Sequence, residues 1–283
     1  MVRANIVDDK GRVVVDLSKF PDYQYSYTNG IHSVLLPELG KDLDSLTSAI
    51  EDFRARRNEK ILDSSRYARL PYVSENNHIW KNRQRDLEFL LKHYSFENKR
   101  VLEIGSWNSW LTHHLANAGA VVTAIGYFTD ENDGLGARRH YPNANWTAIQ
   151  MDCEDLSILE GTYDVVIFNW NLMNFNNPFQ SIVNAKSILS ESGLLVALGV
   201  LVCRKPEKII KDFQLIEQEF QQTYKRSICL RPFKGYFSID DFHQLEKNGF
   251  LTTPNTGKLG VLKSFFKPSS AVPYRAIYQV GNE

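Results

Sequence analysis

The sequence predicts an α/β fold in which a mostly parallel sheet carries helices on both faces. Three stretches predict it. Val101-Leu-Glu-Ile-Gly105 is an apolar strand ending in a glycine turn, followed by a helical stretch and a second apolar run, Ala120 to Ile125. Tyr163-Asp-Val-Val-Ile-Phe168 is a continuous run rich in β-branched residues, the pattern of a parallel strand buried on both faces. Leu194 to Leu201 is another such run, entered from a helical stretch through Ser192-Gly193. Strands that alternate with helices place those strands side by side and parallel.

The elements follow in order. Residues 1–40 alternate in the manner of short strands: Ala4 to Val7, a turn at Asp9-Lys-Gly11, Val13 to Leu17, then Tyr25 to Ile31 leading into Val34-Leu-Leu-Pro37. From Asp42 to Arg66 the spacing turns helical, with Leu43, Leu46, Ile50, Phe53 and Ile61 on one face. Arg66 to Asn77 is irregular and aromatic. A second amphipathic helix is expected over Asn77 to Tyr94, with Leu87, Leu90 and Leu91 as its stripe. The α/β core then begins: strand Arg100–Ile104, helix Trp110–Ala118 closed by Gly119, strand Ala120–Ile125, a short strand Asn145–Gln150, strand Tyr163–Phe168, helix Pro178–Leu189 and strand Leu194–Leu201. Helices over 207–226 and Asp240–Asn248 follow, and Lys258–Val280 reads as closing strands. The expected organisation is a β-rich segment 1–40, a helical cap or linker 41–99 and a ligand-binding domain 100–283.

Composition narrows the function classes. Lys plus Arg and Asp plus Glu balance at 33 each, which favours neither a nucleic-acid nor a membrane partner and leaves a small-molecule ligand as the expectation. The three cysteines, Cys153, Cys203 and Cys229, contain no Cys-x-x-Cys pair, so no cysteine-based metal site is expected. With no apolar leader and no run of 18 apolar residues, a cytoplasmic location is expected. A dinucleotide fingerprint, G-x-G-x-x-G, needs glycine at positions 107 and 110, where this chain has Trp107 and Trp110.

Taken in order, these motifs resemble those of the class I S-adenosylmethionine-dependent methyltransferases. The resemblance covers the core motifs of residues 100–202 and extends loosely to residue 30 and to Phe250. It implies a Rossmann-like, mostly parallel seven-stranded sheet with a small N-terminal β/α extension, and S-adenosyl-L-methionine as cofactor. By that resemblance Glu103 holds the cofactor's ammonium group, while Gly105, Ser106 and Trp107 form the turn beneath it. Gly126 stands where the family places an acid on the ribose, which leaves Asp130 or Asp133 to take that role. Asp152 and Cys153 stand at the adenine. Asn169 and Trp170 stand at the strand end that faces the methyl group, and Asn171 beside them faces the acceptor. Tyr72, Trp80, Arg83 and His140 are the further candidates for contact with a small-molecule acceptor under a cap of residues 66–85 and the C-terminal segment. No general base is assigned. His113 and His114 read as structural.

The segment Val13 to Pro37 is similar to the zinc-ribbon segment that precedes a bacterial subgroup of these enzymes, with every zinc cysteine missing. The resemblance implies methyl transfer to oxygen or nitrogen of a small acceptor. The alternative is a non-catalytic descendant with weak or lost cofactor binding that acts as a binding or partner module.

Overall fold

The structure is a computed structural model and describes residues 5–59, 63–72, 78–256 and 271–281. The chain opens with two hairpins, β1 (Ile6–Val7) with β2 (Val13–Val15), and β3 (Gln24–Thr28) with β4 (Ile31–Leu35). The second turns at Asn29-Gly30, both with positive φ, the two-residue turn that asparagine and glycine tolerate best. Helix α1 (Pro37–Arg56) starts five residues before the periodicity suggested, because Pro37 fits the first helical turn without losing a hydrogen bond. It ends at Arg56. Ile61, expected on its face, lies outside the described residues. A short 3₁₀ helix, Ser64–Arg69, precedes α2 (His78–His93).

The core strands are β5 (Arg100–Ile104), β6 (Val121–Gly126), β7 (Thr147–Gln150), β8 (Tyr163–Asn169) and β9 (Leu189–Val202). Helix α3 (Trp110–Asn117) joins β5 to β6, and α4 (Pro178–Ser187) joins β8 to β9. Strand β9 begins five residues earlier than the apolar run, because Leu189 pairs with Tyr163 ahead of a register shift. Helices α5 (Glu207–Tyr224) and α6 (Ile239–Lys247) lead to β10 (Leu251–Pro254) and β11 (Val272–Gln279). Of the closing region expected over 258–280, residues 257–270 lie outside the described part.

One nine-stranded sheet results, in the order β10-β11-β9-β8-β5-β6-β7-β4-β3. Seven of these strands match the expected sheet. The other two are the β3–β4 hairpin, which adds to the far edge through parallel pairing of β4 with β7. The N-terminal β unit is thus joined to the main sheet. Its first hairpin also shares the main core, through Ile6, Val14, Val15 and Leu17.

The period-two alternation of strands builds the layers. On β5, Leu102 and Ile104 face a core shared with Ile182 and Ala185 of α4 and Leu245 of α6. Val101 faces the opposite core, which contains Trp80, Leu87 and Leu90 of α2 and Trp110, Leu111 and Leu115 of α3. A smaller third cluster packs Leu46, Ala49 and Phe53 of α1 against Phe220 of α5. It closes over the carboxyl ends of the strands and forms the roof of the site. Among the described residues no helix is long and apolar enough to cross a membrane.

Candidate cofactor and acceptor site

Strand order reverses at β5, which has β6 on one side and β8 on the other. In open α/β sheets ligands settle at this switch point, beyond the carboxyl ends of the strands. A cavity of about 360 Å³ lies there. Its floor is Gly105 after β5, Gly126 at the end of β6, Cys153 after β7, and Asn169, Trp170 and Asn171 at the end of β8. Leu46 and Ile50 of α1, Arg83 of α2 and the segment 228–233 enclose it from above. The cap is therefore built from α1 and the segment after α5, with Arg83 as the contribution of the region 66–85.

The turn after β5 has the backbone of a glycine-rich loop without the glycines. Gly105, Trp107 and Ser109 have φ of +67, +49 and +59, all left-handed. A non-glycine residue in that region costs about 1–2 kcal/mol. The N–H groups of Gly105 and Ser106 both donate to the carbonyl of Ile125, at 2.9 and 3.0 Å, which folds the turn back onto β6. Ser106 is fully buried and outside the cavity wall. A side chain at Gly105 would collide with Asn171, whose Nδ2 would lie 1.9 Å from its Cβ.

Glu103 is fully buried and is not exposed to the cavity. Thr112 Oγ1 donates to one carboxylate oxygen at 2.5 Å, and Asn169 Nδ2 donates to the other at 2.8 Å. Burial pushes its pKa up to about 7, against the pull of those hydrogen bonds. Glu103 thus acts on the cavity through Asn169. Asn171 Nδ2 donates to the carbonyl of Ile104 at 2.7 Å. Asn169 Nδ2 points at the Glu103 carboxyl and Asn171 Nδ2 at the Ile104 carbonyl, so both amide oxygens are turned away from those groups. Those two oxygens are buried and have no donor among the described residues.

Gly126 lines the cavity, and a Cβ there would sit 3.4 Å from Leu135. Asp130 lies outside the cavity wall and caps its own turn by accepting from the N–H of Asn132 and Asp133. Asp133 does line the cavity, ion-paired with Arg54 of α1 at 2.9 Å. Asp152 is held from the side: Arg231 donates to both of its oxygens at 2.8 and 2.5 Å, and Tyr127 Oη donates at 2.8 Å. Burial raises the Asp152 pKa, but the Arg231 hydrogen bonds, the N–H of Glu154 and the Tyr127 hydroxyl outweigh it and hold the carboxyl below its ordinary value. The Cys153 thiol is pushed up by burial and is neutral at physiological pH.

The remaining acceptor candidates divide. Arg83 lines the cavity. Trp80 stacks on Trp107 at 5.9 Å between ring centres and so supports the wall from behind. Tyr72 is exposed, edge-on to His114, and His140 stacks on Tyr67 at 4.4 Å; neither reaches the cavity. His114 Nε2 is bonded to the Leu70 carbonyl and His113 stacks on Tyr141, in structural positions. Sequence reasoning missed Arg231, Tyr127, Arg54 and the apolar roof. Only the isolated cation in the apolar stretch Cys229-Leu-Arg-Pro-Phe233 hinted at Arg231.

Residues 102–197, about a third of the chain, match the family described as a methyltransferase domain. No curated protein matches the chain in sequence. Among solved structures it is similar to the magnesium protoporphyrin IX methyltransferase of Synechocystis PCC 6803, crystallised with S-adenosylhomocysteine. That pair is 16% identical, covers 82% of this chain and 99% of the other, and has a TM-score of 0.46. It is also similar to an arsenic(III) S-adenosylmethionine methyltransferase from Chlamydomonas reinhardtii, at 16% identity, 66% and 64% coverage and a TM-score of 0.40.

The residues present suit that cofactor. The left-handed turn over 105–109 keeps the close backbone approach of a glycine-rich loop. The two amide oxygens without donors among the described residues belong to Asn169 and Asn171, which line the cavity together with the indoles of Trp107 and Trp170, a set that suits a cationic ligand. The acid that would hold a ribose is absent at position 126.

Proposed function

We propose that this protein transfers a methyl group from S-adenosylmethionine to oxygen or nitrogen of a small-molecule acceptor inside the cavity. The observation that carries this reading is the pair of amide oxygens of Asn169 and Asn171, buried at the switch point and left without a donor. The cofactor, when bound, supplies a methyl group on a sulfonium that an acceptor lone pair can displace in line.

The chain's own residues hold, orient and dry the reactants. Glu103 fixes Asn169 and the Ile104 carbonyl fixes Asn171, so their dipoles are set before any ligand arrives. Leu46, Ile50, Phe128, Phe175 and Phe233 exclude water from the space above them. Such positioning supplies roughly 7–11 kcal/mol of a barrier, which suffices for a displacement that needs little proton transfer. His113 and His114 lie outside the cavity lining and burial keeps the Cys153 thiol protonated, so none of the three is assigned as a general base. Three widely spaced cysteines with no Cys-x-x-Cys pair fit work in a reducing cytoplasm.

A second reading is a non-catalytic module. It is favoured by Asp152, whose carboxylate is already occupied by Arg231, and by Gly126 in place of a ribose-binding acid. Isothermal titration with S-adenosylmethionine and S-adenosylhomocysteine separates the two readings. Dissociation constants in the micromolar range are expected for the enzyme. Absence of heat at millimolar ligand overturns it.

A further inference from the structure

Arg83 lies on α2, and its guanidinium sits 4.7 Å from the ring centre of Trp80, 4.6 Å from that of Trp107 and 5.6 Å from that of Trp170. Its Nε is buried and has no hydrogen-bond acceptor among the described residues. The carboxylates around it are each committed elsewhere. Asp86, one turn along α2, accepts from Arg275 Nε at 2.6 Å, Trp170 Nε1 at 2.8 Å and Asn255 Nδ2 at 2.5 Å. Asp133 pairs with Arg54, and Glu103 is held by Thr112 and Asn169. Burial lowers the Arg83 pKa to about 10, so the group is still a cation at neutral pH. The cavity wall thus carries a cation packed among three indoles that makes no direct ion pair among the described residues, its charge favoured only at a distance by the Asp86 carboxylate.

The geometry points to a carboxylate seat at Arg83, so that a molecule bound in this cavity, acceptor or cofactor, places its carboxylate there. A guanidinium offers two parallel N–H groups in the spacing of a carboxylate, and flanking indoles fix the plane of that fork. A phosphate fits less well, because its third oxygen needs a further donor. Several nearby side-chain donors are already engaged: one N–H of Asn169 on Glu103, one of Asn171 on the Ile104 carbonyl, and Trp170 Nε1 on Asp86. The apolar roof suits the rest of such a molecule. The carboxylate belongs either to the acceptor or to the amino-acid end of the cofactor. Its assignment to an acceptor rests on the methyl-transfer reading, whereas the seat itself does not.

The test measures binding to the wild-type protein, Arg83→Met and Arg83→Lys by calorimetry. The probes are S-adenosylhomocysteine against 5′-methylthioadenosine, which lacks the amino-acid end, and benzoate against benzamide. Thermal melts confirm that both variants are folded. A loss of at least tenfold for benzoate and not benzamide in Arg83→Met, partly restored in Arg83→Lys, supports the seat and gives it to the acceptor. The same loss for S-adenosylhomocysteine and not methylthioadenosine supports it and gives it to the cofactor. Equal affinity of wild type and Arg83→Met for both carboxylates, or equal losses for charged and neutral probes, overturns it. If wild type binds S-adenosylhomocysteine and neither carboxylate depends on Arg83, the seat falls and the methyl-transfer reading stands. If wild type binds benzoate through Arg83 but no S-adenosylhomocysteine, the reverse holds.

Discussion

Replacing Arg231 with methionine is expected to tighten the binding of adenosine-bearing ligands. The resemblance in sequence implies that Asp152 meets the adenine amino group, yet its two oxygens are held by Arg231 and one of them also by Tyr127. A ligand that uses Asp152 must first displace that pair. The side chains are 33% and 18% exposed, so the pair is weaker than a fully buried one. A bidentate, charge-assisted contact with that exposure contributes about 1–2 kcal/mol. Removing the competition should tighten binding by about 5–30-fold, at 1.4 kcal/mol per decade. Methionine keeps the apolar stem and the packing of the 228–233 segment. The protein itself should lose about 1 kcal/mol, a fall in Tm of about 2–4 °C. The assay is calorimetric titration of wild type and Arg231→Met with S-adenosylhomocysteine and with adenosine, at low and at 0.5 M salt. Screening should raise the wild-type affinity and leave the variant's unchanged. Unchanged or weaker binding by Arg231→Met would show that Arg231 holds the ligand and does not compete with it, and the argument would fail.

Three further expectations follow from individual residues. Glu103 binds its proton more tightly when folded, with burial pushing its pKa up to about 7 from an ordinary 4.5. Stability is therefore fully present below about pH 4.5 and lost as pH rises towards 7, by up to about 3 kcal/mol; urea midpoints of Glu103→Gln over pH 5 to 8 should be flatter than those of wild type, although Asp86, raised to about 6 by burial, leaves a residual slope. Gly126→Asp should fold, because its Cβ meets Leu135 at 3.4 Å at an ordinary φ, and should tighten S-adenosylhomocysteine by supplying the missing ribose acceptor; a titration showing no gain would place the ribose elsewhere. Ser109→Gly should raise stability by about 1 kcal/mol, since it relieves a left-handed residue and removes a buried hydroxyl without a partner; chemical denaturation reads it, and a fall would mean that the hydroxyl has a role the backbone does not reveal.

What was legible in the sequence followed from local physics. Strands β5, β6, β8 and β9 were readable because a strand buried on both faces has to be apolar along its whole length. The pattern of the β5 turn was readable too, although Trp107 and Ser109 replaced its glycines, because Gly105 and the flanking strand still mark it. Boundaries were less legible where pairing set them: Leu189 joins β9 by register with Tyr163, a partner 26 positions back that no local pattern names. The Asn29-Gly30 turn was local but was read as part of one stretch, so the hairpin's addition to the edge of β7 was not foreseen.

The site was legible at its floor and illegible at its roof. Gly105, Gly126, Cys153 and Asn169–Asn171 sit on strand ends, where position along the chain fixes position in space. Arg231 meets Asp152 across 79 residues, and Leu46 and Ile50 reach the cavity from a helix that packs on α5. Those contacts depend on how α1 and α5 dock, and amphipathic periodicity says which face is apolar but not what it faces. The same distinction divides the chemistry. The carboxylates that the resemblance assigned to the ligand, Glu103 and Asp152, are each engaged by side chains of this chain, and Arg83, which makes no direct ion pair among the described residues, comes from the helix before the core. On the two proposals above, recognition is divided between the strand ends, through Asn169 and Asn171, and the elements that cover them, through Arg83. The acceptor should accordingly be sought through Arg83 and the roof, and the cofactor through the effect of releasing Asp152.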